Sequence, residues 1–333
     1  MGTRTPIRVV LVGWFSFRHG EATAGDVGAA EAVSAGLGGH GIDHDTVWSP
    51  HFRSRGPTLE EVDPAAYSHL VFVCGPAAGE QVADLHRRFA DCTRIAVGVS
   101  AVDRADPALR GFHTVLARDG QGIEPSRDLA ADAPAPAPVP VVGVTAAPGQ
   151  PEYGDRGAHA RAHRALAGWL VAKDCARVPL DTRLDAVDWL HCSRPGQFDA
   201  LVGRMDLVVT TRLHGLVLAL RNGVPAVAVD PVVGGAKVAA QGRVWDWPVI
   251  TLDGPDAEPD ADRLERLWRW CLADGRTQAR ARARAPAGTL NGLLAEALLG
   301  DGGGLRRRWR ESRAGGAAGR PATGPGRRRS PRR

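Results

Sequence analysis

The chain has 333 residues, 44% of them hydrophobic, and five scattered cysteines without a C-x-x-C pair. This excludes a disulfide-framed mini-protein, disfavours a cysteine metal site, and indicates a globular protein of about two domains. Its net charge of +5 is deceptive, because residues 305–333 hold eleven Arg and one Glu, and removing their net +10 leaves net −5. A basic nucleic-acid-binding domain is therefore not expected.

The first half of the chain alternates strand-like and helix-like segments. Its apolar runs are continuous, which indicates a parallel sheet covered on both faces. The predicted strands are 7–15, 43–49, 68–75, 94–100 and 112–120, and the predicted helices are 25–41 and 78–92.

A Pro-rich segment, 129–140, separates this half from a second half of the same kind. Proline at alternate positions holds the chain extended and removes backbone donors. We predict an α/β fold of two Rossmann-like domains that face each other across a cleft. The predicted parts are an N-terminal domain over 1–130, a linker over 131–140, a C-terminal domain over 141–300 and a disordered Arg-rich tail over 301–333.

The second half repeats the strand and helix pattern. Its predicted strands are 140–145, 175–180, 206–210 and 225–230. Its predicted helices are 156–172, 195–204 and two C-terminal helices with apolar faces that begin at Leu264 and Leu290.

Arg212 and His214 lie where the strand within "VVTTRLHGLVLALRNGVPAVAVD" (208–230) becomes a helix. In an extended or turning backbone two such residues point the same way, whereas in a helix they diverge. If both serve one ligand, the helix starts near His214, with Thr210 or Thr211 as its N-cap. Free N–H groups and a guanidinium then form a site for carboxylate or phosphate. The structural alternative is an Arg paired with a nearby Asp and a capping His.

Lys237 follows this motif after a Gly-rich turn. The chain has only two lysines, Lys173 and Lys237, against forty arginines. A compact ammonium in so Arg-biased a sequence indicates a further anion contact, although chance placement is an equal alternative.

This part of the chain resembles the polysaccharide pyruvyl transferase family. The shared order is T-R-L-H-G (211–215), an apolar helix, G-V-P, an apolar strand, Asp230 and then Lys237. Gly25-Asp26 before the first helix and "VLARDG" (115–120) are similar to two further signatures of that family. The likeness extends in order over roughly residues 7–250. The interval from Asp230 to Lys237 is longer than is usual in the family.

The resemblance implies a transferase that moves the enolpyruvyl group of phosphoenolpyruvate onto two hydroxyls of one sugar. The products are a pyruvate ketal and phosphate. His214 is then the catalytic acid or base, and Arg212, Lys237, Arg118 and Asp26 bind substrate. No metal and no cofactor is expected. The expected partners are phosphoenolpyruvate and a sugar acceptor, either free or lipid-linked at the inner membrane face.

Two other functions stay open. One is a two-domain glycosyltransferase with a nucleotide-activated sugar donor, although no G-x-G-x-x-G or Walker lysine motif is present. The other is a non-catalytic anion- or sugar-binding relative. With no signal-peptide pattern and no apolar run near ~20 residues, we expect a cytoplasmic location or peripheral membrane attachment. His159 and His163 are expected to be an exposed helical pair, and most of the nine tryptophans core residues.

Overall fold

A computed structural model shows two compact units, which divide in sequence between Ala137 and Pro138. The residues before this division form unit 1, and those after it form unit 2. The predicted Arg-rich tail, 301–333, lies outside the residues that the structure describes. Those residues are 6–53, 56–254, 256–284 and 290–299.

Unit 1 is built on one parallel sheet of five strands. Its elements are β1 Arg8–Val12, α1 Ala24–Gly39, β2 Asp43–Thr46, β3 His69–Val73, α2 Glu80–Arg88, β4 Thr93–Ala101, α3 Pro107–Arg110 and β5 Thr114–Gly120. The strand order is β2-β1-β3-β4-β5. The apolar runs of β1 and β3 are buried at the centre of the sheet, as continuous hydrophobic strands must be when both faces are covered.

Unit 2 contains a second parallel sheet of five strands. Its elements are β6 Val141–Thr145, α4 His159–Val171, β7 Ala176–Pro179, α5 Pro195–Val202, β8 Leu207–Thr210, α6 Leu213–Arg221, β9 Ala226–Val233, α7 Lys237–Val244, β10 Val249–Leu252, α8 Ala261–Trp270, α9 Arg276–Ala283 and α10 Leu290–Leu299. The strand order is β10-β9-β8-β6-β7. Its core gathers around β8 and β9, where every residue from Leu207 to Thr210 is buried.

Both sheets have the same topology. In each unit the first strand lies between the second and the third, so the chain winds outward in opposite directions from that point. In such doubly wound sheets, ligands bind outside the carboxyl ends of the strands where the winding reverses. The topology therefore marks one crevice between the ends of β1 and β3 in unit 1, and another between the ends of β6 and β8 in unit 2.

The prediction of α/β architecture with two Rossmann-like sheets is confirmed, whereas the cleft stays a prediction. The short strand β10 and the polar helix α7 were not predicted. The two C-terminal helices are present, but only α8 buries its apolar face, since Leu290, Leu294 and Leu298 of α10 are exposed. No helix in the described parts of the chain is long and apolar enough to cross a membrane.

Candidate functional site

Two buried threonines fix the strand-to-helix turn at the β6–β8 crevice. The Thr210 hydroxyl donates to the carbonyl of Thr145 at the end of β6 (3.0 Å) and accepts from the backbone N–H of Arg212 (2.9 Å). The Thr211 hydroxyl accepts from the N–H of Ala147 (2.9 Å). These bonds join the ends of β6 and β8, and they hold Arg212 at the point where the topology places a ligand.

Gly215 allows helix α6 to approach the sheet closely. A Cβ atom at this position would lie 2.2 Å from Thr210 Oγ1 and 2.6 Å from Thr145 Cγ2, which is far inside contact distance. The last residue of T-R-L-H-G is therefore glycine because the first turn of α6 packs directly on the two threonines.

Arg212 itself occupies the N-cap of α6, in an extended conformation (φ −107°, ψ 133°). The prediction of Thr210 or Thr211 as N-cap was wrong, since Thr210 bonds the N–H of Arg212, before the helix begins. The side chain of the N-cap residue, Arg212, makes no capping bond to the first turn of α6. A helix start without a side-chain cap keeps backbone N–H groups and the positive end of the helix dipole for an anion.

Arg212 has one ion-pair partner among the described residues. Its Nη1 donates to Asp181 Oδ1 at 2.7 Å, and about a quarter of its side chain is exposed. Burial alone would raise the pKa of Asp181, but the N–H of Arg183 and the charge of Arg212 outweigh it and hold that pKa below its ordinary value. The Asp pairing of the structural alternative is thus present, yet it engages one edge of a planar group with five N–H donors.

His214 lies in the first turn of α6 and is exposed. Its imidazole has no hydrogen-bond partner within the described residues, so it does not cap the helix as the structural alternative required. This exposed imidazole in the first turn of α6 is accessible to solvent and to a ligand at the helix start.

Asp230 is a structural residue rather than a ligand contact. It is fully buried, and its Oδ2 accepts from the N–H groups of Ala236 (2.7 Å) and Ala239 (2.8 Å), so it caps α7. The long interval to Lys237 is a turn through Gly234 and Gly235, whose φ angles of +75° and +78° favour glycine.

Lys237 is the first residue of α7, which follows β9, the strand beside β8. Its Nζ lies 5.9 Å from the ring centroid of Tyr153. Arg156 donates to the carbonyls of Val233 and Gly235 in the preceding turn and so fixes the start of α7. Lys237 thus follows the carboxyl end of β9, and Arg212 follows the carboxyl end of the neighbouring strand β8.

The prediction that His159 and His163 are exposed was wrong. His159 is buried, and its Nε2 has no partner among the described residues. His163 Nε2 lies 2.9 Å from the hydroxyl of Thr211. Burial lowers the pKa of both rings, and for His163 the neighbouring His159 lowers it further. The pair is covered because the start of α4 packs against β9, where the N–H of Ala158 donates to the carbonyl of Pro231.

A largely apolar pocket of about 430 Å³ lies between α4 and the ends of β6, β7 and β8. His163 and Thr211 line it beside Leu166 and Leu170. Arg212 follows Thr211 directly, so the apolar pocket and the uncapped start of α6 are next to each other in sequence.

The crevice of unit 1 lies at the ends of β1 and β3, as the topology predicts. It has a volume of about 570 Å³ and is lined in part by His19, Asp26, Cys74 and Arg118. Asp26 accepts from the hydroxyl of Thr23 (2.7 Å) at the start of α1. Two of the residues predicted to bind substrate, Asp26 and Arg118, are therefore brought together in one crevice.

Arg118 is tightly bonded within that crevice. It donates to Asp119 (2.7 Å), to Asp128 and to the Ser100 hydroxyl (2.8 Å). The hydrogen bond to Asp119 is the largest cause that raises the pKa of Arg118. Because two carboxylates neutralise this guanidinium, it is less suited than Arg212 to bind a highly charged anion. Burial raises the pKa of the nearby Cys74 thiol, which keeps it protonated.

The family model of polysaccharide pyruvyl transferases matches residues 181–231. The matched segment runs from Asp181 through T-R-L-H-G to the residue after Asp230. The resemblance seen in the sequence is thus confirmed over this segment, and it points to a transferase that modifies polysaccharides. No curated protein matches the chain.

Several solved structures are similar at low identity. E. coli heptosyltransferase WaaC with ADP is 12% identical (81% of this chain, 100% of that one; TM-score 0.28). Spinosyn rhamnosyltransferase SpnG with thymidine diphosphate is 13% identical (84% and 95%; TM-score 0.30). Arabidopsis thaliana UGT89C1 with UDP-L-rhamnose is 12% identical (85% and 94%; TM-score 0.28). At these scores the likenesses say nothing about the donor or acceptor of this chain.

Proposed function

We propose that this chain is a pyruvyl transferase that moves the enolpyruvyl group of phosphoenolpyruvate onto two hydroxyls of one sugar and releases phosphate. One observation carries the proposal. Arg212 and His214 flank an uncapped helix start at the β6–β8 crevice, inside the segment that matches the family model.

The donor chemistry suits these groups. Phosphoenolpyruvate carries a carboxylate and a phosphate close together, so it needs more than one cationic contact. The free edge of the Arg212 guanidinium and the first-turn N–H groups of α6 bind one anionic group in the proposal. Lys237, at the start of α7, binds the other as a compact charge.

The reaction balances without a further reactant. A proton adds to the terminal carbon of the enol, which becomes a methyl group, and one sugar hydroxyl oxygen bonds to the central carbon. The bond from that carbon to the phosphate oxygen breaks, and a second hydroxyl closes the ketal. Of the two hydroxyl protons, one is accounted for in the methyl group and the other in hydrogen phosphate. His214 carries a proton in one of these transfers, as a general acid or base.

Unit 1 supplies the acceptor side in this proposal. Its crevice contains Asp26 and a neutralised Arg118, which favours hydrogen bonding to sugar hydroxyls over the binding of a trianion. Asp26 is thereby a substrate-binding residue, and Arg118 shapes the crevice more than it binds charge.

Phosphate release from phosphoenolpyruvate, measured against a panel of nitrophenyl and lipid-linked sugars, tests the proposal. We expect release that depends on both substrates and a product with the mass of a pyruvate ketal. Thermal stabilisation by a nucleotide sugar but not by phosphoenolpyruvate would instead support a glycosyltransferase. Stabilisation by phosphoenolpyruvate with no release on any acceptor would support a binding protein.

A further inference from the structure

The segment between β7 and α5 exposes a cluster of large apolar side chains. Val187 is 94% exposed, Trp189 88% and Leu190 71%. Tryptophan is the largest apolar side chain, and in the core of unit 2 Trp247 and Trp268 are only 4% and 7% exposed. Trp189, which lies between Asp188 and Leu190 in sequence, is mostly exposed together with Val187 and Leu190, and such an apolar cluster requires a reason.

The backbone of this segment is firmly held. Asp185 Oδ1 accepts from the N–H groups of Val187 (2.9 Å) and Asp188 (3.1 Å), and its own N–H donates to the carbonyl of Cys192 (3.0 Å). Asp188 accepts from the N–H of Leu190 (3.0 Å). The apolar side chains thus stand on an ordered turn whose carboxylates are used internally.

The same turn is bonded to the candidate active site. Asp188 Oδ2 lies 2.8 Å from His191 Nδ1, and His191 Nε2 lies 3.7 Å from Asp181 Oδ2. Asp181 in turn accepts from Arg212. A continuous series of polar contacts therefore joins the base of the apolar cluster to the guanidinium proposed to bind the donor.

We propose that Val187, Trp189 and Leu190, here named the apolar tip, insert into the interfacial region of a lipid bilayer. An amphipathic Trp beside aliphatic side chains is the composition that lies at such interfaces. A second copy of the chain is a poorer occupant, because three side chains cover far less than the roughly 800 Å² per partner of a standard interface. A sugar is also a poorer occupant, because the polar neighbour of Trp189, Asp188, already bonds the N–H of Leu190 and the ring of His191.

The inference extends the proposed function to its acceptor. A tip on the bilayer, bonded through Asp181 to Arg212, would hold the reaction close to the membrane surface, where the sugar of a lipid-linked acceptor is displayed. Vesicle binding is measured without any donor or acceptor, so it can fail while phosphate release succeeds, and the reverse.

Flotation of the full-length protein with phosphatidylcholine vesicles tests the tip. A neutral lipid and high salt are chosen because the eleven arginines of residues 305–333 would bind anionic lipid by charge. We expect Trp189→Ser to reduce the vesicle-bound fraction about tenfold, the loss of one large interfacial anchor. Val244→Ser, which changes another exposed side chain of unit 2 (76%), should leave it unchanged.

Trp189→Phe separates insertion from an indirect effect. This variant keeps an apolar ring, so it should still float, whereas quenching of protein fluorescence by brominated phosphatidylcholine should fall relative to the wild type. Failure of the wild-type protein to bind vesicles overturns the inference. So does a wild-type dimer in light scattering that becomes a monomer in Trp189→Ser, because the tip would then be an interface between copies.

Discussion

Arg212 and Asp181 form an ion pair through one guanidinium nitrogen, Nη1, at 2.7 Å from Asp181 Oδ1. The pair holds the guanidinium in place at the mouth of the β6–β8 crevice and uses only part of its donor set. A planar fork fixed along one edge can present its remaining N–H groups to a carboxylate or phosphate with little further loss of side-chain entropy.

Arg212→Lys should therefore weaken donor binding while the protein stays folded. The substitution keeps the charge but loses the fork, so we expect a loss of roughly 1–3 kcal/mol in phosphoenolpyruvate affinity, the range for a charge-assisted hydrogen bond. Calorimetric titration measures the affinity directly. Arg164→Lys, at an exposed position of α4, is the matched control and should bind as the wild type does. Equal affinity in both variants would mean that Arg212 serves only the ion pair.

The buried His159 should make stability depend on pH. Burial lowers the pKa of His159 in the folded state, so near the ordinary value of about 6.5 the unfolded chain binds more protons than the folded one. The neutral His159 ring therefore contributes its full stabilisation above about pH 6.5, and this contribution to the free energy of unfolding is lost as the pH falls below that value. Urea unfolding at several pH values should show this loss in the wild type and a shallower one in His159→Gln. Identical slopes would mean that other groups carry the dependence.

Much of unit 2 is predictable because its apolar runs are continuous and its helices have one apolar face. The position of Arg212 and His214 at a strand-to-helix turn follows from the same pattern. The burial of His159 could also have been predicted from the sequence. His159, His163, Leu166 and Leu170 follow each other at spacings of four, three and four, so the histidines continue the apolar stripe of α4.

Other features depend on contacts between segments far apart in sequence. Asp181 lies 31 residues before Arg212, and nothing in the local pattern around either residue indicates the pair. Arg118 was predicted to bind substrate, but its two carboxylate partners make it less able to bind an anion. One of these partners, Asp128, lies on a different segment, so the local sequence around Arg118 does not show the pair. Most of the nine tryptophans were expected in the core, but Trp189 is exposed on a turn that is held by hydrogen bonds to Asp185 and Asp188.

Gly215→Ala should destabilise the protein although alanine favours helices. The new Cβ would lie 2.2 Å from Thr210 Oγ1, so α6 must move or the bond from Thr210 to Thr145 must break. Overpacking of this kind costs about 1–3 kcal/mol in the free energy of unfolding. Gly168→Ala in α4 meets nothing within 4 Å and should instead stabilise by roughly 0.5–1 kcal/mol. Urea unfolding of both variants checks the difference, and two changes of the same sign would contradict the close approach of α6.

His214→Ala should separate catalysis from binding. The exposed imidazole makes no hydrogen bond within the described residues, and the nearby core is carried by Leu216 and Leu220, so the melting temperature should hardly change. Turnover of phosphoenolpyruvate should fall by about two to four decades, the usual contribution of a general acid or base, whereas donor affinity should weaken only modestly. The rate of phosphate release at saturating donor measures the first, and calorimetry the second.

His51→Ala, which removes another exposed imidazole, is the control for a nonspecific effect of losing a histidine and should keep full turnover. Unchanged turnover, or an unfolded variant, would remove His214 from the mechanism. Arg212 would then remain as the donor contact to be tested.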